Sequence, residues 1–295
     1  MPSLKDIRKR VVSVKNTQKI TRAMKLVAAA KLRRAQGAMM ELRPYAEKYR
    51  EMLSALVEAT GGAGESAHEL LEARDGQGGV AILAISSDRG MCGGFNSVIQ
   101  KQVFLHSQAM KAEGRAVTVF PLGRRMVQYV GKNDYNVGEV FGEVIAGAET
   151  SAIKHMTAVL VDGFRNGDFD DVVIISNRFR SVISQLPTTS PLIPVQSGDG
   201  DAEAASDGIS GDYLYEPDQE ILLNHVVPSY VEVQVREAIL ESIAGEHAAR
   251  MNAMNSATDN ATEMISSLTL QMNRARQAAI TTELMEIIGG SEALK

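Results

Sequence analysis

Residue types that could carry out chemistry are sparse in this chain of 295 residues. The single cysteine, Cys92, excludes an intrachain disulfide and a zinc site built from several thiolates. Five histidines are scattered without the i, i+4 spacing or adjacent glutamate of a metalloenzyme helix: His68, His106, His155, His225 and His247. Asp88 and Arg89 follow a predicted strand, where an ion pair bordering a turn explains them as well as a catalytic pair would. The sequence therefore predicts no catalytic residue, no metal site and no cofactor.

One glycine cluster, Gly90-Met91-Cys92-Gly93-Gly94, lies between a predicted strand and a predicted helix, where phosphate-binding loops occur. Its spacing matches neither the dinucleotide-binding G-x-G-x-x-G pattern nor the G-x-x-x-x-G-K-S/T loop of nucleotide hydrolases. A tight strand-to-helix turn is the favoured interpretation, and a phosphate loop is the alternative. We therefore expect that no small-molecule substrate binds this chain directly.

Charge is divided unevenly along the chain. The formal net charge is −5, yet residues 1–40 hold eleven Lys and Arg against one acid, Asp6. That segment is therefore +10 and the remainder is −15. A basic end of this kind predicts an acidic partner, either nucleic acid or an acidic protein surface. Nucleic-acid binders interleave aromatic residues with basic ones, and residues 1–44 contain no aromatic residue, so the protein surface is favoured.

The residue patterns at both ends of the chain predict long helices that pair with each other. Positions spaced alternately three and four residues apart were counted along each end. From Leu4 to Leu56, thirteen of the sixteen positions are apolar, and from Leu240 to Glu286 ten of the fourteen are. Spacing of 3.5 residues sustained over this length predicts a left-handed coiled coil, formed antiparallel by the two ends of one chain. Two unrelated amphipathic helices on a globular core are the alternative. Pro44 is expected to kink or interrupt the first helix.

The unequal lengths of these two helices predict an unpaired end. If the hairpin base joins residue 60 to about residue 212, paired positions sum to about 272 and Leu4 lies beside Leu268. Residues 269–288 then extend about 30 Å without a partner helix, at about 1.5 Å per residue. They carry many apolar side chains: Met272, Ala275, Ala279, Ile280, Leu284, Met285, Ile287 and Ile288. Because so much apolar surface is unfavourable in water, we expect another protein to surround it.

The middle of the chain follows a different pattern. Three runs of apolar and β-branched residues are typical of buried strands: Val80–Ser86, Val117–Leu122 and Val172–Ser176. The third is expected to continue after a turn through Val182–Leu186. Helical stretches lie between the strands at Asn96–Ala112 and Glu149–Arg165. Strands that alternate with helices predict an α/β domain with a largely parallel sheet.

These predictions combine into an α/β fold. It consists of a long antiparallel coiled coil of the N- and C-terminal helices with an inserted Rossmann-like α/β domain. The predicted bounds are 1–60 for the N-terminal coiled-coil helix, 80–196 for the inserted domain and 212–290 for the C-terminal coiled-coil helix. Gly-, Ser- and acid-rich stretches at 61–79 and 197–211 are predicted to be flexible connectors. No apolar run approaches the roughly 20 residues that cross a bilayer.

Three stretches resemble the gamma subunit family of F-type ATP synthases, and the resemblance extends over essentially the whole chain. They are Asp6-Ile7-Arg8 with Asn16–Met24 (NTQKITRAM), Ser87–Asn96 (SDRGMCGGFN) and Arg274–Ile287 (RARQAAITTELMEI). Their order and residue types together are highly specific, and Ala257–Asn260 adds to the match. One departure is Ser291, which stands after Gly290 where the family usually has alanine.

The resemblance implies a central rotor shaft in a proton-translocating F-type ATP synthase. Such a shaft couples proton flow through the membrane sector to ATP synthesis in the alpha/beta hexamer and regulates ATPase activity. The implied partners are three alpha and three beta subunits, the epsilon and delta subunits and the membrane c-ring. The implied location is peripheral, on the cytoplasmic face of the bacterial inner membrane. The subunit would itself be non-catalytic, although the complex makes ATP from ADP and phosphate.

Carried over position by position, the resemblance also implies contacts with the hexamer. Arg276 and Gln277 would meet the catch loop of one beta subunit. Met24, with its neighbour Lys25, would lie beside the acidic lever of that subunit. Further contacts would line the hexamer bearing: Ile280, Thr281, Glu283, Leu284 and Ile287.

A coiled-coil scaffold or a nucleic-acid-binding protein with a basic N-terminal helix is the alternative function. Such a protein would bind DNA in a salt-dependent manner, because phosphate contacts release counterions. It would show no association with an ATPase. No nucleic-acid partner is expected under the favoured interpretation.

Overall fold

The computed structural model describes residues 4–59, 68–76, 78–141, 150–196, 216 and 218–292. Helices and strands follow one another along these ranges: α1 (Leu4–Ala59), β1 (Val80–Ile85), α2 (Phe95–Ala112), β2 (Val117–Leu122), α3 (Arg124–Val130), β3 (Asn136–Val137), α4 (Thr150–Asn166), β4 (Asp171–Phe179), β5 (Gln185–Ile193) and α5 (Gln219–Glu292). The chain divides into two compact units, one formed by residues 1–29 and 250–295 and the other by residues 30–249. Helices α1 and α5 each contribute to both units.

The larger unit is built on a five-stranded sheet with the order β3-β2-β1-β4-β5. The first four strands run parallel, and β5 runs antiparallel to β4 at one edge. Strand β1 (VAILAI) is buried along its whole length because every one of its side chains is apolar. Its alternate residues face two hydrophobic cores, with Leu83 in the core on one face of the sheet and Ile82 in the core on the other. A mixed α/β unit with a largely parallel sheet is therefore confirmed.

One predicted strand is placed wrongly by the sequence. The sequence predicts that the sheet continues after a turn through Val182–Leu186; the turn is present, but it occupies Ser181–Ser184, where Ser184 N donates to Ser181 O at 3.2 Å. Strand β5 begins only at Gln185 and runs to Ile193, through Pro187 and Pro191. Proline lacks a backbone N–H and is tolerated in a strand that pairs on one side only. Because the prolines interrupt the pattern of apolar and β-branched residues, the sequence did not predict the full extent of this edge strand. The short elements α3 and β3 were not predicted either.

The stretch 61–79, predicted to be a flexible connector, is packed over part of its length. Leu70 is fully buried, and its carbonyl accepts a hydrogen bond from Val195 N at 2.7 Å. His68 is also buried, and its Nδ1 accepts from Leu70 N at 3.1 Å. The apolar residues within this otherwise polar stretch are the reason for its packing. Residues 61–67 and the whole connector 197–211 lie outside the described residues.

Pro44 was expected to kink or interrupt α1; the helix continues through it without a break, so the interruption is wrong and the kink stays a prediction. A proline removes the N–H that would bond to the carbonyl four residues earlier, which belongs to Met40. Met40 lies on the exposed side of the helix, where water can satisfy that carbonyl. Helix α5 contains Pro228 in the same way.

In the smaller unit, α1 and α5 run antiparallel and are joined by a polar layer. This layer consists of three cross-helix hydrogen bonds: Gln18 Nε2 to Thr262 Oγ1 at 2.7 Å, the Thr21 and Thr258 hydroxyls at 2.8 Å, and Lys25 Nζ to Asn255 Oδ1 at 2.6 Å. In every bond the two residue numbers add up to about 280. The helices therefore pair about eight residues away from the register that was expected from helix length.

The observed register moves the start of the unpaired end. Leu4 comes level with about Arg276, where the expected register placed it beside Leu268. Met272 and Ala275 are still half-buried, and the described side chains from Arg276 to Ser291 are all exposed. The expected register failed because it took residue 212 as the hairpin base, whereas α5 begins at Gln219. It also took no account of the polar residues at seam positions of α1, Gln18, Thr21 and Lys25, which form hydrogen bonds with polar residues of α5.

We predict opposite effects on stability from two glycine-to-alanine substitutions in helices of the larger unit. At Gly163 in α4, an added Cβ would lie 2.5 Å from Cζ of the buried Phe169 ring, and at Gly37 in α1 it would meet nothing within 4 Å. Overpacking costs about 1–3 kcal/mol, whereas replacing glycine in an open helix gains up to about 1 kcal/mol. Gly163→Ala should therefore lower the free energy of unfolding and Gly37→Ala should raise it. Urea denaturation of the full chain followed by tyrosine fluorescence measures both, because all seven tyrosines lie between residues 45 and 230. Equal stability of the two variants would contradict the close approach of α4 to Phe169.

We predict that engineered cysteine pairs report the register of the two helices. Because the heptad repeats every seven residues, the contact of Thr21 with Thr258 places Val14 opposite Ile265. Oxidation should therefore cross-link Val14→Cys with Ile265→Cys at least about tenfold faster than Val14→Cys with Thr258→Cys, which matches the register of about 272. Cys92 is buried and should not compete. Cross-linking can be followed by mass spectrometry of the intact chain, and faster reaction of the second pair would refute the observed register.

Candidate functional site

The turn after β1, which contains the glycine cluster, is closed by its own side chains. Asn96 Oδ1 accepts hydrogen bonds from the backbone N and the hydroxyl of Ser87, at 3.0 and 2.8 Å. Asn96 Nδ2 lies 3.2 Å from Sγ of the buried Cys92. Positive φ angles of 62° at Met91 and 59° at Gly93 bend the chain tightly. This arrangement favours the strand-to-helix turn over the phosphate loop.

The histidines do not gather into a reactive site. Burial lowers the pKa of His68 and of His106, because the charged imidazolium loses its hydration. His155 is exposed, and its Nε2 lies 2.7 Å from Glu139 Oε1. Within the described ranges, no group of three or more His, Cys, Asp or Glu side chains is arranged to hold a metal ion.

The end of α5 carries an exposed aliphatic stripe, which consists of Ile280, Leu284, Ile287 and Ile288. At about 100° of rotation per residue, these four side chains lie within roughly 100° of arc on the helix surface. Their exposed fractions range from 51% at Ile288 to 72% at Ile287. Contiguous exposed apolar surface of this kind marks a site of contact with another protein.

Every residue that the sequence placed in the hexamer contact at this end is exposed: Arg276, Gln277, Ile280, Thr281, Glu283, Leu284 and Ile287. Helical spacing arranges them in neighbouring rows along the helix, and Arg276 shares a row with Ile280. The Thr281 hydroxyl donates to the Gln277 carbonyl at 2.9 Å, and the Thr282 hydroxyl donates to the Ala278 carbonyl at 3.0 Å. Their hydroxyl protons are therefore satisfied within the helix and need no partner outside it.

The other two implied contact residues lie elsewhere. Met24 and Lys25 are half-buried, and the Lys25 ammonium donates to Asn255, whose Nδ2 donates to Asp259 Oδ2 at 3.0 Å. From the position of Asn255 to that of Arg276, α5 rises about 30 Å at about 1.5 Å per residue. The structure therefore separates the two sets of implied contacts. It also joins Lys25 to α5, a contact that no sequence pattern predicted.

The outward face of α1 in the smaller unit is basic, and it is also partly apolar. The exposed basic side chains between residues 4 and 29 are Lys5, Arg8, Lys9, Arg10, Lys15, Lys19 and Arg22. Exposed aliphatic side chains lie among them: Val12, Ile20, Leu26 and Val27. These aliphatic residues lie outside the seam positions of the heptad, so the heptad pattern does not predict them. A surface that mixes aliphatic and basic groups suits an acidic protein better than a nucleic-acid backbone.

No helix in the described part of the chain combines the length and the apolar composition that a bilayer-spanning segment needs.

Comparisons with known proteins agree over the full length of the chain. A protein-family model described as ATP synthase matches residues 3–294. The ATP synthase gamma chain of Geobacter metallireducens is 45% identical over 295 residues, with 100% of both chains covered. The ATP synthase gamma chain of Hyphomonas neptunium is 42% identical over 297 residues, also with 100% of both chains covered.

Solved structures support the fold. A chain of the Euglena gracilis mitochondrial ATP synthase, in its OSCP/F1/c-ring assembly, matches with a TM-score of 0.66 at 19% identity. That match covers 99% of this chain and 94% of the Euglena chain. A chain of the Tetrahymena thermophila mitochondrial ATP synthase central stalk and c-ring matches with a TM-score of 0.55 at 22% identity, covering 81% of this chain and 99% of that one.

The sequence motifs, the match to the family model and the full-length bacterial relatives all point to one family, and the resemblance inferred from the motifs is confirmed. The chain belongs to the ATP synthase gamma chain family.

Proposed function

We propose that this chain is the central rotor shaft of a proton-translocating F-type ATP synthase. It couples proton flow through the membrane sector to ATP synthesis in the alpha/beta hexamer and regulates the ATPase activity of that hexamer. The chain itself is a non-catalytic subunit. Its full-length similarity to gamma chains supports this role.

The observation that carries the proposal is the character of the exposed end of α5. A shaft that turns within a bearing needs contacts whose energy changes little with the angle of rotation. The aliphatic stripe supplies hydrophobic contact, which is non-directional, whereas a hydrogen bond or an ion pair would favour one angle. The hydroxyls of Thr281 and Thr282 are already bonded within the helix, so turning breaks no bond of theirs.

We also propose two details of the fold, the supercoiling of the paired helices and the topology of the inserted domain. The paired helices, 1–60 and 212–290, form a left-handed antiparallel coiled coil, and a Rossmann-like domain, 80–196, is inserted between them. The 3.5-residue spacing of apolar positions supports the coiled coil. The parallel strand order β3-β2-β1-β4 supports the Rossmann-like domain, because doubly wound nucleotide-binding sheets begin with that order.

The contacts with the hexamer are assigned to two regions of the smaller unit, the exposed end of α5 and the part of α1 around Met24. Arg276 and Gln277 meet the catch loop of a beta subunit, while the aliphatic stripe, Thr281 and Glu283 line the bearing. Met24 and Lys25 lie beside the acidic lever of that subunit. Lys25 keeps donors for this contact, because an ammonium has three N–H groups and the described bond to Asn255 uses one.

The remaining partners follow from the same role. They are the three alpha and three beta subunits, the epsilon and delta subunits and the c-ring. The chain is a peripheral membrane protein on the cytoplasmic face of the bacterial inner membrane.

Purification from membranes tests the proposed function. The full chain, carrying an affinity tag, should copurify from detergent-solubilised membranes with alpha and beta subunits and with ATP hydrolysis activity. Recovery of the chain without alpha and beta subunits, together with salt-dependent DNA binding, would instead establish the nucleic-acid-binding alternative.

We predict that charge on the aliphatic stripe prevents assembly. Ile280→Asp with Leu284→Asp places two carboxylates where water is excluded, and burying an unpaired charge costs several kcal/mol. Binding of the chain to alpha and beta subunits should fall at least about 100-fold in a reconstitution assay. The matched variant Ile280→Val with Leu284→Met keeps the surface apolar and should assemble normally. Normal assembly of the double Asp variant, with unchanged helical circular dichroism, would refute the bearing contact.

A further inference from the structure

The outward face of helix α2 carries large apolar side chains around a lysine. Val98, Phe104 and Leu105 are 41%, 46% and 50% exposed, and Lys101 is exposed between them. Relative to Lys101 they stand at i−3, i+3 and i+4, so all four side chains share one side of the helix. These four residues are called the α2 face below.

The opposite side of α2 is fixed in the core of the larger unit. Ile99 and Val103 are fully buried in the hydrophobic core on that side of the sheet. Gln102 Nε2 donates to Thr189 Oγ1 of β5 at 3.3 Å, which holds the flank of the helix. The α2 face is therefore presented by a helix that cannot rotate, so little order is lost when a partner binds.

Exposure of Phe104 is unusual for this chain. The other phenylalanines are buried or half-buried: Phe95, Phe120, Phe141, Phe164, Phe169 and Phe179. Fold stability does not require an aromatic ring at an exposed helix position, and phenylalanine has no special preference for helix. Aromatic residues are instead enriched at the centres of protein interfaces.

The charge of α2 differs from that of the chain around it. The helix contains Lys101 and Lys111 and no Asp or Glu, although the chain beyond residue 40 carries a net charge of −15. The α2 face therefore combines an apolar surface with local positive charge in an acidic protein.

We propose that the α2 face is a docking surface for an acidic protein surface with apolar residues at its centre. Phe104 and Leu105 provide the apolar contact, and Lys101 pairs with a carboxylate of the partner. Complementary charge of this kind selects the partner and fixes the orientation of binding. The inference rests on the proposed function in one respect, because the partner is another subunit of the same complex.

Two other occupants fit the α2 face less well. A symmetric contact with a second copy would bring Lys101 near Lys101 of the other copy, and like charges facing each other oppose such a contact. Anionic membrane surfaces are bound by clusters of about 4–8 Lys or Arg, whereas the α2 face carries one lysine and α2 as a whole carries two. An acidic protein surface uses both the apolar and the basic groups.

Site-specific photo-cross-linking in the assembled complex tests this inference. The full chain carries p-benzoylphenylalanine in place of Phe104, and a control chain carries it in place of Ile221, which is a 55% exposed aliphatic residue of α5 in the same unit. A third chain carries the probe in place of Leu105, in case the first variant assembles poorly. After purification with the alpha and beta subunits and irradiation, mass spectrometry identifies the cross-linked peptide.

We expect a cross-link to another subunit from Phe104 or Leu105 with at least about fivefold the yield from Ile221. The cross-linked peptide should carry net negative charge, and adding Lys101→Glu should lower the yield at least threefold, whereas Lys101→Arg should preserve it. Yields equal to the Ile221 control, a cross-link to a second copy or to phospholipid, a neutral or basic peptide, or no response to Lys101→Glu would each overturn the inference. Failure to copurify with alpha and beta subunits would instead count against the proposed function.

Discussion

The polar layer between α1 and α5 is the constraint on which the exposed end of α5 depends. Aliphatic positions that repeat every seven residues stabilise the helix pair, but they fit nearly as well after a shift of one heptad. Such a shift would place the buried Thr21 against Met251 and leave its hydroxyl without Thr258. A hydrogen bond contributes about 0.5–1.5 kcal/mol net, and a shifted register would break all three cross-helix bonds of the layer. The aliphatic residues therefore supply stability, while the polar residues select the register.

Register matters because it decides which apolar residues are covered within the chain and which are left for a partner. A shift of seven residues would move α1 by about 10 Å along α5. In one direction it would uncover Met272, which is half-buried in the observed register. In the other it would bring α1 alongside Ile280, the first residue of the aliphatic stripe. The polar layer thus fixes the length of the surface that the bearing is proposed to hold.

Elements whose own residues are all of one character could be predicted from the sequence. Features that depend on how two elements pack against each other could not. The run VAILAI marked β1 because a strand buried on both faces has no polar position. The register could not be predicted, because a heptad pattern gives the face of each helix but not its alignment with the other. The bond from Lys25 to Asn255 was missed for the same reason. The α2 face was not predicted from the sequence. Neighbouring apolar residues such as Val103, which is buried, and Phe104, which is exposed, cannot be told apart until the packing of the helix is known.

Two surfaces of this chain differ in the physical character that their proposed roles require. The aliphatic stripe offers contacts without direction, and the neighbouring threonine hydroxyls are satisfied within the helix, so neither favours one angle of rotation. The α2 face instead combines an aromatic ring with Lys101, and a charge-assisted bond to a carboxylate has a preferred geometry, so it resists sliding. A shaft that transmits torque needs both kinds of contact, since it must turn against one partner while it holds another. The distribution of hydrogen-bonding groups between the two surfaces, more than their apolar area, distinguishes a contact that slides from one that holds.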